Sequence, residues 1–426
     1  MKEPRVFIGL REISGYFGNL KQGFDEIGVD AVFLNLGGNH FNYTSGKNPL
    51  WVEWFNFIGS NLGAKFSGNF ILRFLWLTVF QNIFSLLAFF ISIFRYDTFI
   101  LGGNSTFFYF LELPILKLFG KKIIYVFLGT DSRPIYMNGY VCSESSNFIV
   151  IVLLTRLQKL VVNIIEYFAD VVINHPPQAH FHKEPFLSML QIGLPYSGAE
   201  RGRIEKEVHG EGPIKIIHIP SKAGPKGSIK FREIIDELKL KYEIDYTEIS
   251  GIPHDEVLKI IAEADIALDE MYSDTPLAVF ATECAFHSVP IVVGSYYVNN
   301  IKLDYEEGDI PPSEFTLPDE LKSTIEKLIV DEDYRLDVAN KLYQFVSTKW
   351  KSSDVAQRYL KVIKNDIEPR WYYDPNTISY YHGCGLEEYQ VVANLNAFLN
   401  ASKANSLLLK DKPLLVKSIL QFLKNK

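Results

Sequence analysis

The chain has 426 residues, of which 47% are hydrophobic and 22% are charged, and its formal net charge is −7. This length and composition predict a globular protein with two separately cored domains. The acidic balance, without a basic stripe interleaved with aromatic residues, argues against a nucleic-acid partner. Cys142, Cys284 and Cys384 are far apart in the sequence, which argues against a disulfide framework and favours a reducing cytoplasm. The first five residues lead straight into an apolar strand, so we expect no cleavable signal.

The first predicted unit is a strand, a helix and a second strand. The apolar run Val6–Leu10 predicts the first strand, the segment 20–27 the helix, and the segment 31–36 the next strand. Between the first strand and the helix lies a loop, 14–19, that contains Gly15. Such a loop faces the ligand cleft in parallel α/β domains. Gly15 is therefore a candidate for ligand binding, although glycines in turns often serve backbone geometry alone.

The segment 70–94 is apolar and aromatic over roughly 25 residues, enough for a helix of about 37 Å. Arg73 and several polar residues interrupt it, and its uninterrupted apolar core covers only about twelve residues. Three interpretations stay open: a buried or cleft-lining helix, an interfacial helix on a membrane, and a transmembrane helix.

The remainder of the first predicted domain contains two polar strand ends. The strand 122–127 leads into Gly129-Thr130-Asp131-Ser132-Arg133, and the strand 170–174 leads into His175. Asp131 and Arg133 are thus candidate site residues. His175, His180 and His182 do not lie one helical turn apart, and no cysteine or carboxylate cluster accompanies them, so we predict that they bind no metal.

A glycine-bearing loop with two lysines follows the apolar strand 214–219. The loop, 221–228, opens a predicted helix over 229–240. Backbone N–H groups, ammonium groups and the helix N-terminus can together surround a phosphate. The predicted phosphate-binding residues are Ser221, Lys222, Lys226 and Gly227.

The chain then alternates between strands and helices. Strands are predicted at 246–249, 265–268 and 290–293, and helices at 255–264 and 276–288, the second capped by Ser273-Asp274-Thr275-Pro276. This alternation predicts a parallel sheet with its ligand beyond the carboxyl ends of the strands. Further helices are predicted at 317–330, 333–350 and 353–363, and an aromatic-rich tail follows.

Three segments resemble a known family. The patterns "IIHIPSKAGPKGS", "GIPHDEVLKIIAEADIALDEM" and "PLAVFATECAFHSVPIVVG" resemble the nucleotide-sugar-binding domain of retaining glycosyltransferases of the B fold, the family-4-like group. The resemblance implies an α/β protein with two Rossmann-like, doubly wound parallel-sheet domains facing a cleft (GT-B) and a helical C-terminal extension. The implied units are an acceptor-side domain, a linker, a nucleotide-sugar-binding domain, and a tail that crosses back onto the first domain: 1–195, 196–213, 214–364 and 365–426.

The resemblance also implies roles for single residues. Glu283 matches the family's ribose-binding glutamate, and Ile252 and Pro253 stand where the family holds the base through backbone groups. Asp131 lies at the strand end that meets donor sugar and acceptor. Ala278 stands where a glycine often lets the phosphate approach the helix.

Two further positions depart from the family pattern. Thr275 stands where the family usually has a second glutamate, which touches the donor sugar or stabilises charge, and Asp274 lies beside it as a substitute. Leu128 stands where a histidine often precedes Gly-Ser/Thr-Asp. The resemblance thus implies catalytic roles for Asp131, Asp274 and Thr275.

The implied activity is a hexosyltransferase-type transfer, with retention, from a nucleoside-diphosphate sugar to a polysaccharide or lipid-linked acceptor. We expect no metal or cofactor, because lysines and helix-end N–H groups can hold the diphosphate. We expect a cytoplasmic protein, either free or peripheral on the inner face of the membrane through 70–94. The alternative is a non-catalytic homologue that acts as a nucleotide-binding or scaffold protein, which Leu128 and Thr275 favour.

Overall fold

The computed structural model describes residues 3–36, 48–65, 81–103, 105–129, 131–143, 145–197, 212–402 and 407–426. Within these ranges the chain forms two lobes, each built around one sheet. The strands are β1 (Val6–Leu10), β2 (Ala31–Asn35), β3 (Thr98–Gly102), β4 (Lys122–Val126), β5 (Val171–Asn174), β6 (Phe186–Ser188), β7 (Ile214–His218), β8 (Ile244–Glu248), β9 (Ile266–Leu268), β10 (Ile291–Gly294), β11 (Glu314–Thr316) and β12 (Tyr372–Tyr373).

Both sheets are essentially parallel. The first has the order β12-β6-β5-β4-β3-β1-β2, with only β12 antiparallel, and the second has the order β11-β10-β9-β7-β8. The central strands are mostly apolar and buried, as expected where helices cover both faces of a sheet. This architecture confirms the predicted α/β, two-domain GT-B fold.

Helices cover both faces of the two sheets. They are Tyr16–Glu26, Leu50–Lys65, Gln81–Arg95, Glu112–Leu118, Phe148–Phe168, Met189–Ile192, Ala223–Lys226, Ser228–Lys239, His254–Glu263, Val279–Phe286, Val298–Asp304, Leu321–Val330, Glu332–Lys349, Ser352–Ile363, Glu388–Ser402 and Pro413–Lys424. On the first sheet, helices 16–26 and 352–363 share one face. Helices 50–65, 81–95, 148–168 and the two C-terminal helices pack on the other face.

The chain returns to the first lobe earlier than the predicted domain limit at 364. Tyr196 and Lys351 form a bridge where the chain passes between the lobes, and helix 352–363 packs on helix 16–26. The hydroxyls of Tyr16 and Tyr359 lie 2.8 Å apart. The apolar side of helix 352–363 is therefore buried by the first lobe, although its sequence follows the second. Of the predicted linker, 198–211 lie outside the described residues.

The tail sends a glycine-rich turn between the lobes. The N–H of Gly139 donates to the carbonyl of Cys384 over 2.9 Å, and the N–H of Gly385 donates to the carbonyl of Tyr272 over 2.8 Å. A Cβ on Gly139 would overlap the carbonyl of Gly385. The turn Gly383–Gly385 is thus bonded to both lobes, with backbones too close for a side chain at 139.

Two predicted helices differ from the observed ones. The helix predicted over 276–288 begins at Val279, because the hydroxyl of Ser273 donates to the carbonyl of Thr275 over 2.9 Å and holds residues 273–275 in a turn. The predicted cap at 273–276 is therefore wrong. Of the predicted helix 70–94, residues 81–94 form part of helix 81–95, and 70–80 lie outside the described residues.

Candidate functional site

The candidate site lies where the lobes meet, among loops that follow the carboxyl ends of parallel strands. Loops after β4 and β5 come from the first lobe, and loops after β7 and β9 from the second. In parallel α/β sheets this edge is where ligands bind. Most of the predicted site residues lie in these loops.

An ion pair joins the lobes at this edge. The guanidinium of Arg133 contacts the carboxylate of Asp274, and the two side chains are 1% and 6% exposed. The side-chain amide of Gln178 also donates to Asp274 over 3.2 Å. Asp274, a predicted catalytic residue, is therefore held by two residues of the first lobe.

Thr275 is also in contact with the first lobe. Its hydroxyl lies 3.2 Å from Nε2 of His175. Burial, with a further contribution from the charge of Arg133, lowers the pKa of His175 to about 3. The imidazole is therefore neutral and can exchange a hydrogen bond with Thr275 without carrying charge.

Lys226, predicted to hold phosphate, lies in a buried cluster of charged groups. Its ammonium is 2.6 Å from Asp269 and 2.7 Å from Glu270, and the hydroxyl of Tyr140 donates to Glu270 over 3.0 Å. Burial acts to lower the pKa of Lys226, but the two carboxylates outweigh it and raise the pKa. The ammonium is charged, and both of its neighbouring carboxylates come from the loop after β9.

The rest of the predicted phosphate loop is more open. Ser221 and Lys222 are exposed, and the ammonium of Lys222 donates to the carbonyl of Tyr140 over 3.4 Å. Gly227 has φ +76, and a Cβ there would overlap Met271. Residues 223–226 form a short helical turn within the loop.

Glu283 forms a second cluster with His254. Nε2 of His254 lies 2.7 Å from the Glu283 carboxylate, whose side chain is 6% exposed. Pro253 is the N-cap of the helix that begins at His254, and Ile252 precedes it. Ala278 is the N-cap of the helix that carries Glu283. Glu283 is the fifth residue of its helix, and its carboxylate lies beside His254 at the start of the helix that Pro253 caps.

Asp131 lies at the end of β4, as predicted. Its side chain is buried, and burial raises its pKa to about 6, against the opposing effects of a hydrogen bond from the Leu128 backbone and the charge of Arg11. A buried carboxyl that titrates near neutral pH can hold or release a proton under physiological conditions. This property marks Asp131 as a candidate acid–base group.

The carboxylate of Glu12 accepts hydrogen bonds from backbone N–H groups in the loop after β1 and in the first turn of helix 16–26. The donors are the N–H groups of Ile13 and Gly18, both over 2.8 Å, and of Phe17 over 3.2 Å. Burial raises the pKa of Glu12 to about 7. Gly15 has φ +81 and is the N-cap of helix 16–26. The donors that a ligand would meet beside Gly15 are therefore already bonded within the protein.

Several of these residues were not identified by the sequence analysis. Asp269 and Glu270 directly follow a predicted strand, so the rule for strand ends could have identified them. Glu12 lies three residues before the N-cap Gly15, outside the position that capping rules describe, although it accepts from N–H groups of the first helical turn. Nothing in the sequence marked Tyr140 or Cys384 as residues of the interface between the lobes.

The three histidines considered as metal ligands have separate partners. His175 contacts Thr275, His180 lies 2.8 Å from the carbonyl of Tyr380, and His182 lies 3.1 Å from Glu166. Within the described ranges, no three His, Cys, Asp or Glu side chains form a group that could hold a metal ion. The expectation of a metal-free site stays a prediction.

The chain is similar to several proteins of known structure in its fold. No protein-family model and no curated protein matches the chain. Among solved structures, HepE from Anabaena in complex with UDP and glucose is similar, with 11% identity over 85% of this chain and 100% of that one and a TM-score of 0.49. The N-terminal domain of Candida albicans trehalose-6-phosphate phosphatase has 10% identity over 86% and 98%, with a TM-score of 0.53. WaaG, a glycosyltransferase involved in lipopolysaccharide biosynthesis, has 11% identity over 84% and 99%, with a TM-score of 0.46. At these identities the likeness shows the fold alone, which has two lobes that are each built on a parallel sheet, as in GT-B proteins.

Proposed function

We propose that this protein is a glycosyltransferase that moves a hexose from a nucleoside-diphosphate sugar to a polysaccharide or lipid-linked acceptor, with retention. The observation that carries the proposal is the position of Glu283 and Lys226. Lys226 lies in the loop after β7, and the carboxylate of Glu283 reaches His254, the first residue of the helix after β8. At this edge of a parallel sheet, a carboxylate suits ribose hydroxyls and an ammonium suits a diphosphate.

The proposed chemistry depends on holding negative charge on the leaving group. As the bond to the sugar breaks, charge accumulates on the diphosphate, and fixed cations stabilise it. Lys222 is exposed on the same loop, whereas Lys226 lies between two carboxylates. The ammonium has three N–H donors, so a diphosphate bound at Lys226 would share it with these two carboxylates and lie close to them.

We further propose that the reaction needs no metal or cofactor and takes place in the cytoplasm. The cations of the loop after β7 take the role that a metal ion would otherwise have. Contact with the inner face of a membrane is proposed through the described part of 70–94, which is apolar and partly exposed.

A non-catalytic homologue is the second candidate function, and one observation favours it. Lys226 is paired with both Asp269 and Glu270, so its ammonium already has partners within the protein and is less available to a diphosphate. Thr275, at the position of the family's second glutamate, is in contact with His175 instead.

Two measurements with the purified full chain test the proposal. A thermal-shift panel of nucleoside diphosphates and their sugars should identify one donor that raises the melting temperature, since a ligand that binds only the folded form stabilises it. Incubation with that donor and acceptor mixtures should then release the nucleoside diphosphate, and NMR of the product should show the anomeric configuration of the donor. Binding without release from any donor would establish the non-catalytic function. No binding to any nucleotide would refute both functions.

A further inference from the structure

Three helices of the first lobe present apolar side chains to solvent on one side of the seven-stranded sheet. Helices 81–95, 112–118 and 148–168 each precede one of three adjacent parallel strands, β3, β4 and β5. Right-handed crossovers place such helices on the same face. The rings of Phe94 and Phe119 are 6.0 Å apart, and helix 112–118 packs along helix 148–168. These three helices and Phe119 form one continuous surface, here named the apolar face.

Helix 148–168 is apolar on both of its sides. Ile151, Thr155 and Val162 are buried against the lobe. On the opposite side, residues spaced by three or four positions lie in one stripe. Ile149 is 75% exposed, and Leu153, Leu157 and Leu160 are exposed by half or more.

The other two helices extend this stripe. Phe90 and Phe94 are more than half exposed on helix 81–95, and Leu118 is 83% exposed on helix 112–118. A soluble monomer seldom exposes a continuous apolar patch of more than a few hundred Å², and larger patches mark interaction sites. The seven apolar side chains named here are each exposed by half or more, so the apolar face is a candidate interaction site.

We propose that the apolar face binds the surface of an anionic lipid bilayer, with helix 148–168 lying parallel to the membrane plane. The exposed charged side chains of the three helices are Arg95, Lys117 and Arg156, and all three are basic, although Lys117 also pairs with Asp170 over 2.6 Å. The whole chain has a net charge of −7. An apolar surface edged with cations matches the boundary between acyl chains and anionic headgroups.

The charges disfavour a second copy of the chain on this face. A two-fold symmetric dimer would bring the same surface of each subunit face to face. Arg95 and Arg156 would then meet basic residues across a desolvated interface, which repel one another. Anionic headgroups would instead attract them.

The inward side of helix 148–168 excludes a transmembrane position. By length and composition alone this is the one helix of the described ranges that could cross a membrane, and its 21 residues correspond to about 31 Å. However, Thr155 donates to the carbonyl of Ile151, and both residues pack inside the lobe. Moving the helix into a bilayer core would remove this side of the lobe's core, whereas binding parallel to the surface leaves it intact.

This inference rests on, and deepens, the membrane contact proposed above for the described part of 70–94, but it is independent of sugar transfer. The test is flotation of the full chain with vesicles of phosphatidylcholine alone or with phosphatidylglycerol. We expect the chain to float with the anionic vesicles, and the double variant Leu153→Glu, Leu157→Glu to lose at least tenfold of the bound fraction. The matched control is Leu240→Glu, Leu303→Glu on the second lobe, where both leucines are more than 80% exposed. This control should float like the original chain.

Each outcome decides the proposal. Equal loss in the control and test variants, or no flotation of the original chain, would overturn it. Resistance of bound protein to alkaline carbonate extraction would overturn the in-plane orientation. A dimer in lipid-free solution that the test variant converts to monomer would assign the face to a second copy instead. The nucleotide thermal shift, measured on the same variants, separates these results from failure of the donor site or of folding.

Discussion

Arg133 of the first lobe and Asp274 of the second form an ion pair in which both side chains are almost fully buried. The pair joins the loop after β4, which also carries Asp131, to the loop after β9, which also carries Thr275. Asp131 and Thr275 are both predicted site residues. Removing one partner of such a pair leaves a buried charge without compensation. The closed arrangement of the lobes therefore depends on both residues together.

A double-mutant cycle should measure this coupling. We expect Arg133→Met or Asp274→Asn alone to lower the free energy of unfolding by about 3–5 kcal/mol. The double variant should lose clearly less than the sum of the two, because it leaves no unpaired charge. Guanidinium unfolding of the four proteins provides the measurement, and strictly additive losses would contradict the coupling.

Replacing Lys226 should make stability strongly dependent on pH. In Lys226→Met the carboxyl of Asp269, whose pKa burial already raises, loses its neighbouring cation, so its folded-state pKa rises further. A carboxyl with a raised pKa stabilises the fold at low pH, and this contribution is lost as the pH rises through the folded pKa. The variant should therefore lose about 3–5 kcal/mol at pH 8 and recover part of it at pH 5. Lys222→Met, at an exposed position, is the control and should show little change at either pH.

Asp131 should produce a measurable pH dependence of stability in the original chain. Its folded pKa is about 6 because of burial, against about 3.9 for an unperturbed aspartate. Its stabilising contribution is thus complete below about pH 4 and falls as the pH rises towards 6. Asp131→Asn should remove this slope from the free energy of unfolding, whereas Asp366→Asn, at an exposed position, should keep it. An unchanged slope in Asp131→Asn would show that the group does not titrate in this range.

Gly139→Ala should loosen the tail from the cleft. The added Cβ would overlap the carbonyl of Gly385, and overpacking of this kind costs about 1–3 kcal/mol. Limited proteolysis should cleave the tail faster in this variant. Gly308→Ala, where the Cβ would meet open space, is the control and should be cleaved at the original rate. Cleavage of Gly139→Ala at the original rate would show that the tail does not depend on this contact.

Glu283→Ala should weaken binding of the nucleoside diphosphate identified by the thermal-shift panel. A carboxylate that accepts two ribose hydroxyls makes two charge-assisted bonds, so the expected loss is roughly 2–4 kcal/mol by calorimetry. Glu256→Ala, on the exposed side of a neighbouring helix, should bind as before. An unchanged affinity in Glu283→Ala would remove this residue from the site.

The sequence by itself determined the two parallel sheets and the position of most strands. The run Val6–Leu10 is apolar without interruption, and Ile214–His218 is apolar except at Lys215 and His218, which is the pattern of strands buried on both faces. Lys226 lies at the ligand-binding edge because it follows a parallel strand, β7, whereas Glu283 lies within a helix and reaches this edge through its contact with His254.

Only the tertiary structure decided which partners these residues have. Lys226 pairs with Asp269 and Glu270, which are far from it in the sequence, and Arg133 pairs with Asp274 across the lobes. Helix 352–363 packs on the first lobe. No local pattern specifies such pairs, since they follow from strand order and from how the lobes close. The position of the apolar face was decided in the same way. The composition of 148–168 shows that the helix is apolar, but only the packing shows which of its sides the lobe leaves exposed.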